Sequence, residues 1–273
     1  MIDAHQHFWT RSRGDYDWLK DASPVLHRDF GPSDLLPLLK KHALTGTILV
    51  QAASTEAETE FMLSIAAKTD EVLGVVGWVD FEREDAPGRV THFAKQPKLV
   101  GLRPTVPDFQ SPDWFLRPEL EPGFEAMLEN GLTFDALSHP QHLAPLAELK
   151  RRYPDLPIII DHFAKPEIRN NAYDDWARDI RIASLSGIWC KLSGLVTEAA
   201  ADWKPDELKP YIDHVLSIFG STRVVWGSDW PVVNAAGGYD RWREVSLAAL
   251  AHLPETHQQA ILGGNARAFY LGE

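Results

Sequence analysis

The sequence contains very little cysteine and no long apolar run. Cys190 is the only cysteine among 273 residues, which excludes an internal disulfide and a cysteine-based zinc cluster. No stretch of ~18 apolar residues occurs, so we predict no membrane-spanning helix. Basic residues are also scarce, with 27 Lys and Arg against 39 Asp and Glu. The net charge of −12 argues against a nucleic-acid partner, because phosphate binding needs clustered cations.

The beginning of the sequence has neither the basic nor the apolar segment of a secretory signal. With a single thiol and no such signal, we expect a cytoplasmic protein. Hydrophobic residues make up 44% and charged residues 24%, which is the balance of a globular protein rather than of a disordered chain.

Short apolar, β-branched runs recur along the whole chain, and most are followed by a segment with helical spacing. The runs predict strands at 2–7, 46–51, 73–79, 99–103, 132–136, 157–162, 188–193 and 224–229. The helical patterns lie at 55–69, 83–95, 119–130, 140–152, 173–186, 205–219, 240–252 and 255–270.

Eight strands in alternation with helices favour an α/β fold with a parallel sheet, and eight is the number that closes a (β/α)₈ TIM barrel. A doubly wound open sheet is the alternative, but no glycine-rich phosphate loop follows the first strand. No repeat or change of composition marks a linker. We therefore predict one domain over residues 1–273, with its active site at the carboxyl ends of the strands.

The segments that leave the strands are in places long. The longest are 8–34, after the first strand, and 104–118, after the fourth. Proline occurs at 104, 107, 112 and 118 in the second of these, which predicts a stiff segment without regular structure. Long segments at the carboxyl ends of barrel strands are where such folds build their active sites.

Polar side chains end nearly every predicted strand. They are His5, His7, Gln51, Trp78, Asp80, Arg103, Asp135, His162, Lys191 and Asp229. One polar residue at a strand end is ordinary, but the ends of barrel strands converge on one mouth. A ring of such residues therefore indicates a shared pocket to which each strand contributes a rigidly held group.

His5 and His7 form the sharpest local pattern. Alternation along a strand points both side chains the same way, roughly 6.5–7 Å apart. Two imidazoles on one face can hold a divalent metal or donate hydrogen bonds to a substrate carbonyl. A structural pair is the alternative, which the position at the end of the first strand disfavours.

His162 and Asp229 end the sixth and eighth predicted strands. His162 follows three isoleucines, and the alternative to a site residue is a histidine satisfied at the edge of the core. Asp229 lies between two tryptophans. It could cap the following segment, or it could be a general base whose pKa is set by neighbouring histidines and aromatic walls.

Two cationic residues end other strands. Arg103 precedes a proline that fixes the backbone, and its guanidinium suits a carbonyl or carboxylate oxygen. Lys191 could bind substrate, or it could face outward with its charge in water.

Four tryptophans lie at or just beyond strand ends: Trp9, Trp78, Trp114 and Trp230. Indole rings pack well against the C–H faces of sugars, although tryptophans also anchor loops. We expect these four to contact substrate. His27, His139 and His142 fall in the same segments, and we expect each to be structural.

Five motifs together resemble the amidohydrolase superfamily, and more closely its branch of sugar lactonases and pyrone dicarboxylate lactonases. They are DAHQHFW at 3–9, GLRP at 101–104, DHFAKP at 161–166, KLSG at 191–194 and GSDWP at 227–231. The resemblance implies a (β/α)₈ barrel that hydrolyses a cyclic ester. It also identifies the superfamily's paired histidines with His5 and His7, its downstream histidine with His162 and its terminal aspartate with Asp229.

The chain departs from the superfamily members that bind two metals. Arg103 stands at the fourth strand, where a bridging lysine would be needed, and Lys191 stands where a second histidine would follow His162. We therefore expect one metal or none. His5, His7, His162 and Asp229 would suit zinc, and we expect lactone hydrolysis to survive its removal.

The sequence thus predicts hydrolysis of a sugar lactone, L-fuconolactone or a close relative, by water that Asp229 activates. Arg103 and the three histidines would stabilise the oxyanion. The partner would be this small molecule, with no nucleic acid or membrane. The alternatives are a pyrone dicarboxylate lactonase, a metal-dependent amide hydrolase or decarboxylase on the same barrel, and a non-catalytic sugar-binding barrel.

Overall fold

The computed structural model describes residues 1–106 and 111–273, and within them eight parallel strands form one sheet. The strands are β1 (Asp3–Gln6), β2 (Thr47–Val50), β3 (Val72–Gly77), β4 (Leu99–Leu102), β5 (Thr133–Ala136), β6 (Ile158–Ile160), β7 (Trp189–Leu192) and β8 (Val224–Trp226). Each strand pairs with the next in chain order. The nitrogen of His7 donates to the Trp230 carbonyl at 2.7 Å, which joins β1 to the segment after β8. The predicted (β/α)₈ barrel is confirmed.

The helices follow the strands around the outside of the sheet. Those of the described residues are α1 (Pro32–Lys41), α2 (Glu56–Ala66), α3 (Ala86–Ala94), α4 (Glu121–Glu129), α5 (Leu143–Arg152), α6 (Tyr173–Leu185), α7 (Leu195–Glu198), α8 (Pro205–Phe219), α9 (Gly238–Leu250), α10 (Glu255–Gln259) and α11 (Asn265–Leu271). Every predicted helix is present within a few residues, except that the last is divided.

The first unit contains a helix that the sequence pattern did not predict. Helix α1 begins at Pro32 and has Pro37 in its interior, which removes a backbone donor and hides the helical pattern. Leu35 and Leu39, four residues apart, are the buried face of this helix. The predicted helix at 255–270 is interrupted at 260–264, where Gly263 leaves helical geometry.

The space inside the barrel is filled by small and branched side chains. Ile48, Val76 and Ile159 pack there with Phe269 and Tyr270 from α11. A larger core lies between the strands and the outer helices. The inner layer supports the charged groups above it, because close-packed side chains fix the strand ends that carry them.

Two strands end earlier than predicted, and this changes how the site is built. The predicted strand 157–162 stops at Ile160, and the four residues from His162 to Lys165 all have φ between 51 and 58. Asp229 likewise has φ 57, beyond the end of β8 at Trp226. A left-handed backbone cannot continue a strand and is costly for residues other than glycine, so strained turns of this kind are concentrated at functional sites.

The segment after β4 is partly helical where it is described. Trp114–Leu116 and Pro118–Leu120 each form a single 3₁₀ turn, so this stretch has more regular structure than its prolines predicted. Pro107 lies outside the described residues. Among residues 1–106 and 111–273, none of the helices combines the length and the apolar character needed to cross a membrane.

Candidate active site

The carboxyl ends of the strands surround a cavity of about 580 Å³. His7, Arg103, His162 and Asp229 line it, so four of the five predicted catalytic residues face one space. A groove of about 630 Å³ between α8 and α9 lies outside the barrel, and it brings together none of the predicted site residues.

Three histidines converge on one oxygen of Asp229. The Nε2 atom of His7 lies 3.3 Å from Asp229 Oδ1, and those of His5 and His162 lie 3.8 Å and 3.9 Å from the same oxygen. The His5 ring is 4.9 Å from the His7 ring and 4.5 Å from the His162 ring, between centroids. The four residues that the sequence assigned to one site thus lie together, although two of them, His162 and Asp229, lie in turns rather than in the predicted strands.

The backbone fixes the orientation of the His7 ring. Its Nδ1 lies 2.8 Å from the carbonyl oxygen of Val50, which can only accept, so the Nδ1 of His7 carries a proton. With the proton on Nδ1, a neutral ring presents the lone pair of its Nε2 to Asp229, 3.3 Å away. A second group that holds one ring nitrogen while the other faces the site is typical of metal-binding histidines.

His162 is held by the turn after β7. Its Nδ1 lies 2.8 Å from Ser193 Oγ. Gly194 has φ +66, and a Cβ there would lie 2.4 Å from Nδ1 of His162. Only glycine therefore allows the His162 ring to occupy this position, which gives the KLSG motif a local physical role.

Burial sets the protonation of the site. It lowers the pKa of His162 to about 4, and together with the charge of Lys191 it holds the pKa of His5 well below its ordinary value. Burial alone would raise the pKa of Asp229, but the neighbouring His162, His7 and His5 hold it below its ordinary value instead. At neutral pH the site therefore contains an ionised carboxylate beside neutral His5 and His162.

A buried ion network lies directly beneath the histidines. Lys191 is fully buried, and its Nζ lies 2.9 Å from both His5 Nδ1 and Asp161 Oδ1 and contacts Asp135. Arg103 joins the network through Asp161 Oδ2 at 3.0 Å. Two carboxylates and two cations thus balance, as buried charges must.

The network changes the interpretation of two residues. Lys191 was predicted to bind substrate, but it is buried and is not among the residues that line the cavity, so its contacts support His5 instead. Asp161 was not among the predicted site residues. Its place directly before His162, after three isoleucines, was the available signal.

Two sets of side chains in the described part of the chain could hold a metal ion. One is His5, His7 and Asp229, and the other is His5, Asp161 and His162. Ligands at ~2.0–2.1 Å from a tetrahedral zinc are about 3.3 Å apart, close to the distance between His7 Nε2 and Asp229 Oδ1. The free lone pair of His7 beside a carboxylate fits a cation between them, so the residues present suit one divalent ion.

The four predicted tryptophans do not line this cavity. Trp9 is fully buried and donates to the Arg28 carbonyl at 2.8 Å. Trp114 is buried and donates to Glu82, and Trp230 is buried against Phe8 and Phe30. Three of the four are thus anchors of the long segments, because their rings are used in packing.

Trp78 is half-buried and lines two neighbouring spaces instead. Trp18 is the tryptophan that lines the central cavity, together with Asp15 and Lys165. No pattern in the sequence distinguished these residues within their loops. The three histidines that were expected to be structural, His27, His139 and His142, are also absent from the residues lining this cavity.

A protein-family model described as amidohydrolase matches residues 2–271. The chain belongs to the amidohydrolase family. The resemblance that its five motifs carry is therefore confirmed over nearly the full length, and the barrel and the clustered histidines agree with it.

Three comparisons place this amidohydrolase more closely. It is 41% identical over 276 residues to the L-fucono-1,5-lactonase of Burkholderia ambifaria, covering 98% of this chain and 94% of the relative. It is 32% identical to the L-fucono-1,5-lactonase of Burkholderia multivorans, covering 98% and 95%. It also matches the crystal structure of a Burkholderia multivorans amidohydrolase with bound zinc, at 30% identity and a TM-score of 0.91, covering 99% and 98%.

Proposed function

We propose that this amidohydrolase hydrolyses L-fucono-1,5-lactone or a closely related neutral aldonolactone. The observation that carries the proposal is the convergence of three imidazoles on the Asp229 carboxylate beside an open cavity. The relative with 41% identity over nearly the full chain has this activity. In this proposal residues 1–273 form one catalytic domain whose partner is a small molecule, and the cytoplasmic location stays a prediction.

Asp229 is the general base in the proposed mechanism. Its lowered pKa keeps it ionised at neutral pH, so it accepts a proton from water as the water oxygen attacks the lactone carbonyl carbon. The tetrahedral intermediate then collapses, the ring C–O bond breaks, and protonated Asp229 returns its proton to the leaving alkoxide. A carboxylate of low pKa is a weak base, which a lactone tolerates because its carbonyl is more reactive than that of an amide.

Arg103 and His5 are the donors that stabilise the charge developing on the carbonyl oxygen. Arg103 is held by Asp161 and by the carbonyl of Gln51, so its guanidinium is fixed in place before the substrate binds. Lys191 donates to His5 Nδ1, which leaves the proton of neutral His5 on Nε2, towards Asp229. Donors fixed in advance in a site shielded from water contribute the largest single share of many rate enhancements.

A divalent ion such as zinc would be held by His5, His7, His162 and Asp229, and when bound it would ionise the water and polarise the carbonyl. We propose that it is not essential. In the present arrangement His5 Nε2 bears a proton, and His5 becomes a ligand only when that proton moves to Nδ1, where Asp161 Oδ1 lies at 3.4 Å.

Exhaustive dialysis against a chelator tests whether the metal is needed. We expect zinc to bind when it is supplied, and we expect kcat for the lactone to fall by no more than ~3-fold without it, because Asp229 and the fixed donors remain. Metal content and kcat are measured before dialysis, after it and after zinc is added back. A near-complete loss that zinc restores would show that the metal supplies most of the activation.

The Asp229→Asn variant tests the general base. Asparagine keeps the size of the side chain but cannot accept a proton, so we expect kcat to fall ~10²- to 10⁴-fold with an unchanged melting temperature. Acid release from L-fucono-1,5-lactone, followed with a pH indicator, gives the rate. Near-native kcat in this variant would remove Asp229 from the mechanism.

A further inference from the structure

One wall of the cavity is formed by the long segment after β1 and by the turn after β2. Asp15 and Trp18 belong to the first of these, and Ser54 and Thr55 belong to the second. All four line the same cavity as His162 and Asp229. The proposed mechanism gives this wall no role.

Hydrogen bonds fix the Asp15 carboxylate against the start of α2. Its Oδ2 accepts from Arg13 Nη2 at 2.6 Å and from Thr55 Oγ1 at 3.1 Å. Thr55 Oγ1 in turn accepts from the backbone nitrogen of Glu58 at 3.1 Å, as the cap of α2. The carboxylate is therefore held in place relative to the barrel.

Arg13, which holds Asp15, is itself firmly anchored. Its Nε donates to the Tyr16 hydroxyl at 3.2 Å, and that hydroxyl donates to Glu58 Oε2 at 2.6 Å. The guanidinium also lies 4.5 Å from the centroid of the Phe61 ring. A recognition group supported in this way loses little conformational freedom when a ligand binds.

The second oxygen of Asp15 lacks a partner. Oδ1 is shielded from solvent, and within residues 1–106 and 111–273 no donor bonds to it. A buried carboxylate oxygen without a donor is costly, and native structures rarely leave one without a reason. The Asp15 side chain is 18% exposed and lines the cavity, so a hydroxyl of a bound ligand can approach the carboxylate from that side.

Trp18 provides an apolar surface in the same wall. Its indole nitrogen donates to the Ala52 carbonyl at 2.8 Å, and its ring meets the edge of Trp9 at 5.3 Å between centroids. The side chain nevertheless remains 38% exposed. An indole fixed at its polar end and open on its apolar surface suits the C–H face of a saturated ring.

The geometry points to Asp15 and Trp18 as the residues that select the substrate: the carboxylate accepts hydrogen bonds from ring hydroxyls, and the indole packs against the C–H face. This inference rests on the proposed function in that the ligand is taken to be a lactone. It specifies a neutral, polyhydroxylated ring, because a carboxylate oxygen accepts hydrogen bonds from hydroxyl groups and none from a carboxylate on the substrate.

The test compares two six-membered lactones in wild type and in Asp15→Asn. L-fucono-1,5-lactone has the hydroxyls, and δ-valerolactone lacks them. We expect Asp15→Asn to lower kcat/KM for L-fucono-1,5-lactone roughly 10- to 100-fold, mainly by raising KM. We expect kcat/KM for δ-valerolactone to change less than ~3-fold. Asp21→Asn, the same charge change on an exposed residue of the same segment, is the matched control and leaves both values unchanged.

Two results would overturn the inference. One is an equal loss for both lactones in Asp15→Asn, which indicates a structural role. The other is no loss for either. If Asp15→Asn does not fold, Trp18→Leu takes its place, because this partly exposed side chain is less needed for packing. The same selective rise of KM for the hydroxylated lactone is expected, and its absence counts against the inference.

A binding measurement separates this inference from the proposed function. Wild type that opens neither lactone would refute the proposed function. Calorimetric titration with 1,5-anhydro-L-fucitol, which has the ring hydroxyls but no carbonyl, then decides the role of Asp15. Binding that weakens at least ~10-fold in Asp15→Asn supports the inference, and equal binding or no binding to wild type overturns it.

Discussion

At the scale of single residues, the site depends on how each side chain is held rather than on its identity alone. His7 is oriented by the Val50 carbonyl, and His162 is oriented by Ser193 and by the space that Gly194 leaves. These contacts come from strands that are distant in the sequence. The residue types of the site were predictable from the strand ends, but their supports were not, because alternation within a strand does not show what lies across the barrel.

The tryptophan that lines the cavity was the least predictable part of the site. A tryptophan after a strand can pack inward or face the cavity, and the pattern of the sequence does not distinguish the two. Trp9 is buried and Trp18, nine residues later, is open to the cavity. The difference arises from the path of the long segment after β1, which contains only short 3₁₀ turns before α1.

The protonation of the site predicts how activity depends on pH. The pKa of His162 is lowered to about 4, and that of Asp229 lies below its ordinary value. His162 therefore stays neutral and Asp229 stays ionised as pH falls from 8 to 5. We expect kcat/KM to stay flat over this interval and to fall near pH 4, where His162 gains a proton.

Measuring kcat/KM for the lactone by chromatography from pH 4 to 8 checks this prediction, with circular dichroism at each pH as the control for unfolding. A midpoint near pH 6 in a folded protein would mean that the histidine environment does not control the reaction.

At the scale of elements, the order of strands and helices was predictable because each has a clear apolar period. The exceptions have local causes. Pro37 concealed α1, and the left-handed turns at His162 and Asp229 shortened two strands. A turn of this kind has no sequence pattern of its own outside glycine and asparagine, so its cost is accepted only where the surroundings hold it.

Helix α2 contains a buried acid whose titration affects stability. Burial raises the pKa of Glu58 from 4.5 to about 7, although Tyr16 donates a hydrogen bond to it. The folded chain therefore holds this proton more tightly than the unfolded chain does. The contribution of Glu58 to the free energy of unfolding is fully present below pH 4.5 and is lost as pH rises through 7.

Glu58→Gln tests this linkage. Over the roughly 2.5 pH units between 4.5 and 7, the effect amounts to about 3 kcal/mol at most. Glutamine has no proton to lose, so we expect the unfolding free energy of the variant to fall less between pH 5 and 8 than that of wild type. Denaturant titrations at pH 5 and at pH 8 measure this unfolding free energy. Glu60→Gln, at an exposed neighbouring position on α2, is the control. An equal change of unfolding free energy between pH 5 and 8 in all three proteins would contradict the linkage.

At the scale of the whole molecule, the barrel brings the strand ends together around one cavity and places a neutralised ion network beneath them. The cations of that network, Arg103 and Lys191, are already paired with Asp161 and Asp135. The cavity wall adds Asp15, which is paired with Arg13, and Lys165, whose Nζ lies 3.6 Å from Glu198 Oε1. The site thus offers few free cations to an anionic substrate, in a chain whose net charge is −12.

The substrate preference is the most direct test of this account. The measurement is kcat/KM of the purified chain for L-fucono-1,5-lactone and for 2-pyrone-4,6-dicarboxylate under the same conditions. A dicarboxylate needs several unpaired cationic partners, so we expect kcat/KM for the neutral lactone to be at least ~100-fold higher. A preference for the dicarboxylate, or hydrolysis of neither compound above the spontaneous rate, would contradict it.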